Sequence, residues 1–159
     1  MSMKKVFIDT NFLIKLLNNQ DPIHENAKKY FKYFLDNQMV VLVSAIAIGE
    51  YCVKGEITEL PLKNIQTLNY NVFHAVKAGA CGSIAFNARK LKEISTNRIV
   101  ITNDIKLFAQ AEIEKVDYYV TGDKNSREIF DLLKRDTGLS YQFIDIYETV
   151  EDSFGLLFL

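Results

Sequence analysis

Proline and glycine are scarce in this chain, two and seven among 159 residues, which excludes fibrous and Pro/Gly-rich disordered architectures. Cysteine is nearly absent: Cys52 and Cys81 stand alone without a C-x-x-C pair, so neither a disulfide nor a thiolate metal site is expected. Long apolar runs are missing too. The longest, "MVVLVSAIAI" from Met39 to Ile48, falls far short of the ~20 residues that span a membrane. The opening "MSMKKVFID" lacks the apolar region of a secretory signal because Asp9 interrupts it, so a cytoplasmic protein with no membrane partner is expected. A surplus of one charge is also lacking. The formal net charge of -1 leaves no whole-molecule field to attract polyanions. Nucleic-acid contact would rest on local groups such as Lys4 with Lys5, Arg89 with Lys90 and Lys92, or Lys124 with Arg127, which read first as solvated faces. There is no repeat, low-complexity tract, linker or G-x-G-x-x-G motif, so a single domain over residues 1–159 without dinucleotide chemistry is expected.

What is present is an alternation. Strand-like runs fall at 4–9, 39–44, 70–75, 98–102, 117–122 and 141–146, most of them continuous and rich in Val, Ile, Phe and Tyr. Helical patterns fall between them, at 11–18, 23–36, 44–54, 58–68, 77–94, 104–115 and 125–136; the run at 98–102 reads equally as a helix end plus connector. Such alternation predicts βαβ units, hence an α/β fold with a mostly parallel sheet covered on both faces. Sites in these folds lie beyond the carboxyl ends of the strands.

Four acids fit this frame awkwardly. Asp9 ends the first apolar run, and a strand buried on both faces rarely ends in an acid without a reason. Asp123 follows "YYVTG" at a second strand end, where a turn or capping role is an equal reading. Glu50 shares a predicted helix face with Ile46 and Val53, unless it turns aside to pair with Lys54. Asp104 sits at the predicted start of a helix, where capping alone would account for it. As a set they should repel, since two unit charges 4 Å apart cost about 4 kcal/mol at an effective dielectric of 20. A cluster of that kind needs cations or raised pKa values. All-oxygen donors suit Mg²⁺ or Mn²⁺, and the matching chemistry is metal-assisted phosphodiester hydrolysis.

The sequence here resembles a known family. "VFIDTNFLI" with Asp9, "SAIAIGE" with Glu50, "TNDIKLFAQA" with Asp104 and "YYVTGD" with Asp123 follow, in order, the acidic motifs of PIN-domain proteins, from Val6 to about Ile146. The resemblance implies a three-layer α/β/α sandwich and divalent-metal-dependent ribonuclease activity. It also implies, as for the VapC-type toxins in this family, a possible antitoxin partner and a homodimer. Carried over by position, Asp9, Glu50, Asp104 and Asp123 match the catalytic, metal-binding acids. Asn11 matches a residue that orients a carboxylate or water, and Thr121 a supporting hydroxyl donor. Asn125 stands where many relatives carry another acid, which weakens the case for a second metal position.

Two other classes compete. A haloacid-dehalogenase-like phosphatase also places an Asp after its first strand, but it needs a second acid where Asn11 stands, and "GDKNSR" lacks its later acid. A PIN-like fold kept only for binding or assembly is the other. His24 and His74 are expected to be structural. Tyr30, Phe31, Tyr33 and Phe34 are expected chiefly in the core or a dimer contact, with base stacking a lesser reading. The apolar tail from Ser153 should close the core or meet a partner chain.

Overall fold

A computed structural model describes residues 2–156. Its centre is β1 (Lys5–Ile8), flanked by β2 (Val40–Ser44) and β4 (Tyr118–Thr121), with β3 (Gln66–Leu68) and β5 (Gln142–Asp145) at the edges. All pairings are parallel, in the order β3-β2-β1-β4-β5; Ile8 is in register with Val43 on one side and Val120 on the other. Alternation along each strand then assigns residues to opposite faces. Val6, Ile8, Val41, Val43 and Val120 pack with Phe12, Tyr30 and Phe34, from α1 (Thr10–Leu17) and α2 (His24–Asp36). Phe7, Leu42 and Tyr119 pack the other way, against α4 (Val72–Lys90), α5 (Arg98–Ile113) and α6 (Ser126–Thr137). Burial on both faces is why the strands read as unbroken apolar runs. The result is the three-layer α/β/α sandwich with a parallel sheet. No helix among the described residues is long and apolar enough to cross a membrane.

Three expected elements differ. Residues 70–75 are not a strand: the Asn71 side chain accepts from the amides of Phe73 and His74 and caps α4. The β-branched and aromatic residues that imitate a strand, Val72, Phe73 and Val76, point outward, while Ala78, Cys81, Gly82, Ala85 and Ala88 face the core. That small-residue face lets α5 approach closely; a β-carbon on Gly82 would stand 3.0 Å from the Ile105 side chain. Residues 98–102 likewise open α5, capped by Asn97, whose side chain accepts from the Ile99 amide at 2.8 Å. The stretch 58–68 is not helical beyond one 3-10 turn at Ile57–Glu59, and its end supplies β3, too short and polar to announce itself.

The other structural expectations resolve as follows. Tyr30 and Phe34 are fully buried, so they are core rather than stacking surfaces. Phe154, in α7 (Val150–Phe154), packs on Tyr33 and Tyr118 with ring centroids 4.6 and 5.1 Å away; the tail beyond Leu156 lies outside the described residues. His74 is buried, with Nε2 2.8 Å from Glu114 and Nδ1 accepting from the Asn71 amide; His24 Nδ1 lies 3.0 Å from the Lys15 carbonyl. Both histidines are structural. The α4 cap offers a direct check: Asn71→Ala should lower stability by about 1 kcal/mol in urea unfolding. A neutral result would favour the strand reading.

Candidate active site

Asp9 stands where β1 ends and α1 begins, because the chain needs an acceptor there for free helix amides. Its Oδ1 accepts from the Phe12 amide at 2.9 Å. Its Oδ2 accepts from the Thr121 hydroxyl, at the end of the adjacent β4. Thr121 Oγ1 in turn accepts from the Asp123 amide at 2.9 Å, and Asp123 Oδ1 accepts from the Asn125 amide at 2.9 Å. Asp123 is therefore also a turn residue, as one reading of the sequence had it.

The other two acids come from helices. Glu50 lies on α3 (Ala45–Tyr51), which Ser44 caps at the end of β2. It is exposed rather than inward-facing, as is Val53, and its carboxylate turns to the Thr10 hydroxyl at 2.5 Å instead of Lys54. Asp104 is not at a helix start. It sits in the second turn of α5, because the cap belongs to Asn97, and capping does not account for it.

All four acids nevertheless line one cavity of about 350 Å³, together with Thr10, Asn11 and Asn103 and the apolar walls Ile14, Val100 and Leu107. A larger cavity of about 660 Å³ adjoins it through Ile14 and Glu50. Asn125 does not line the cleft: it is exposed, and its side chain makes no capping bond. Thr10 and Gly122 were missed as contributors although both lie within quoted motifs. A β-carbon on Gly122 would stand 2.5 Å from Asn11 Oδ1 and 2.6 Å from Lys15 Cδ, so any larger residue would have to displace these two side chains of α1.

The electrostatics follow from burial. Removal from water raises the Asp9 carboxyl from 3.8 to about 7; Thr121 and the Phe12 amide oppose the shift, and Asp123 and Glu50 add to it. Burial also raises Asp104 to about 7, reinforced by the charges of Asp123 and Asp9. Two acceptors in the cleft, Asn11 Oδ1 and Asp104 Oδ2, are buried without any hydrogen-bond donor. Leaving such an atom unpaired costs about 1–3 kcal/mol. Oxygen-only ligands, repelling carboxyls and orphaned acceptors together are the donor set a hard divalent cation takes. As the side chains stand, no three His, Cys, Asp or Glu among the described residues form a group that could hold a metal ion. The Thr121 and Thr10 hydroxyls each occupy an oxygen of Asp9 and Glu50.

No family model matches this sequence, and no curated protein does. Solved structures do. One is VapBC2 from Rickettsia felis bound to a DNA fragment from their promoter, with TM-score 0.57 and 14% identity over 89% of this chain and 98% of that one. Another is DNA-bound VapBC from Salmonella typhimurium, with TM-score 0.56 and 18% identity over 91% and 99%. A third is Mycobacterium tuberculosis VapC20, a Sarcin-Ricin loop cleaving toxin, with TM-score 0.54 and 17% identity over 77% and 93%. At these identities the likeness is one of fold, and the fold is that of the VapC-like PIN domains.

The raised carboxyls imply a pH dependence for the metal-free chain. Between 3.8 and about 7 the folded state binds more protons at Asp9 and Asp104 than the unfolded state does. This contribution to stability is complete below 3.8 and is lost as pH rises through about 7. In chelator, the thermal midpoint should fall between about pH 4 and 7, and Asp9→Asn should flatten that fall. A midpoint that rises across the window in the parent would contradict the assignment.

Proposed function

We propose that this chain, with its VapC-like PIN fold, is a divalent-cation-dependent endoribonuclease working at the cleft of Asp9, Glu50, Asp104 and Asp123. The observation that carries the reading is the convergence of four acids, delivered by β1, α3, α5 and the end of β4, on one cavity. The resistance of Asp9 and Asp104 to ionisation in the bare protein supports it. A neighbour in fold that cleaves the Sarcin-Ricin loop supports RNA as the substrate class. Two further neighbours determined as VapBC assemblies on DNA support a toxin role with a small antitoxin as partner. A homodimer is proposed on the family resemblance alone.

In this reading the four acids would hold Mg²⁺ or Mn²⁺, with Asn11 among the residues that line the same cleft. The bound cation would supply a hydroxide-like water and stabilise the leaving oxygen of the phosphodiester. The remaining work falls to the chain. Thr121 fixes the orientation of the Asp9 carboxyl through its hydroxyl, and the Asp123 amide fixes Thr121. Thr10 does the same for Glu50. Gly122 lets Asn11 reach the strand end. Asp9 and Asp104 would have to give up their protons to serve as ligands, so cation affinity would rise with pH.

A non-catalytic PIN-fold module is the second reading, favoured by the hydroxyl bonds that occupy Asp9 and Glu50. Calorimetry separates the two: Mn²⁺ should bind the parent and not Asp9→Asn, which should also lose RNA cleavage. Thr121→Val, which keeps the shape but removes the hydroxyl, should lower cleavage by about ten- to a hundredfold. A parent that takes up no Mn²⁺ or Mg²⁺, or an Asp9→Asn protein that cleaves as the parent does, would overturn the nuclease reading.

A further inference from the structure

The acidic cleft has a basic, aromatic neighbour that none of its chemistry uses. Thr121 and Asp145 are register partners at the ends of β4 and β5. Asp123 and Tyr147 lie in the loops that follow these two strand ends, and Lys124, next to Asp123, reaches the Tyr147 ring. The Tyr147 ring is 45% exposed. The Lys124 ammonium lies 4.2 Å from its centroid, and that of Lys15 lies 5.5 Å away. Lys15 is already paired with Asp21 at 3.2 Å, whereas Lys124 has no acidic partner among the described residues.

The loop that presents this ring is held from below. Asn26 Nδ2 donates to the carbonyls of Ile146 and Glu148, and the Tyr30 hydroxyl donates to the Glu148 carbonyl at 2.8 Å. The Ile146 amide donates to the Thr121 carbonyl at 3.1 Å. The backbone of this loop is thus held by contacts that do not involve the Tyr147 ring. An aromatic on a backbone held this way, beside an ammonium without an acidic partner, is the arrangement that holds a single-stranded nucleic acid, the ring stacking a base and the cation meeting a phosphate.

We propose that Tyr147 is the base-stacking platform for single-stranded RNA at this site, seating a nucleotide next to the acidic cleft while Lys124 moves from the ring to the backbone phosphate. The proposal rests on the nuclease reading above and names where its substrate sits. The cleft repels a polyanion, and a net charge of -1 supplies no compensating field, so attraction must come from beside the acids. Lys124 follows Asp123 directly and is placed to provide it.

The test uses the full chain in chelator at low salt with a short single-stranded RNA carrying 2-aminopurine, whose emission is quenched by stacking. The parent and Tyr147→Phe should bind and quench; Tyr147→Ala should bind about tenfold more weakly and lose the quench. Lys124→Ala should keep the quench and flatten the salt dependence of binding. In cleavage assays the Tyr147→Ala loss should fall on KM more than on kcat. A Tyr147→Ala protein that melts at a lower temperature yet keeps affinity and quench overturns the platform and leaves the nuclease reading intact. Loss of quench in Tyr147→Ala, combined with an Asp9→Asn protein of undiminished activity, supports the platform and overturns the catalytic reading. A parent that neither binds nor cleaves RNA overturns both.

Discussion

The hydrogen bond from Thr121 to Asp9 is the constraint around which the molecule is arranged. It joins the carboxyl ends of neighbouring strands at the point where the sheet stops, and it does so with a group that burial would otherwise expel. The Phe12 amide shares the same carboxyl, so one side chain closes β1, starts α1 and ties both to β4. Fold and candidate chemistry therefore compete for one pair of oxygens. An acid that must serve as a helix cap and as a ligand gains from a pKa near neutrality, where its charge is easily exchanged for a proton.

The same tension explains what the sequence revealed. Asp9 was legible because a carboxylate is incompatible with the buried strand before it, and β1, β2 and β4 were legible because burial on both faces requires unbroken apolar runs; β5, at the edge, kept only the aromatic and β-branched pair Phe143 and Ile144. Where burial is uneven the pattern misleads. Val72, Phe73 and Val76 look like strand residues yet lie on the outer face of α4, whose inner face is read only from its alanines, Cys81 and Gly82. Ile99, Val100 and Ile101 open a helix because Asn97 caps it and α4 receives it, a tertiary preference that overrides local propensity. β3 gives the core only Leu68 and is otherwise polar and exposed, so it leaves little trace in side-chain type.

At the site the division is similar. Four acids could be named because each is an exception to its surroundings, although Glu50 and Asp104 occupy positions other than those the periodicity suggested. Thr10 and Tyr147 could not be singled out, since a hydroxyl after an acid and a tyrosine after a strand are ordinary until a distant segment arrives beside them. Their meaning lies in contacts between residues far apart in the chain, such as Thr10 with Glu50 or Tyr147 with Lys15.

Gly122 has a consequence beyond packing. Because nothing projects from its α-carbon, the Lys15 stem crosses the strand end there, with Asn11 beside it. A larger residue here would have to displace the Asn11 amide and the Lys15 stem together, so the seat of α1 on the sheet edge and the place of Asn11 beside the acids are set by one position.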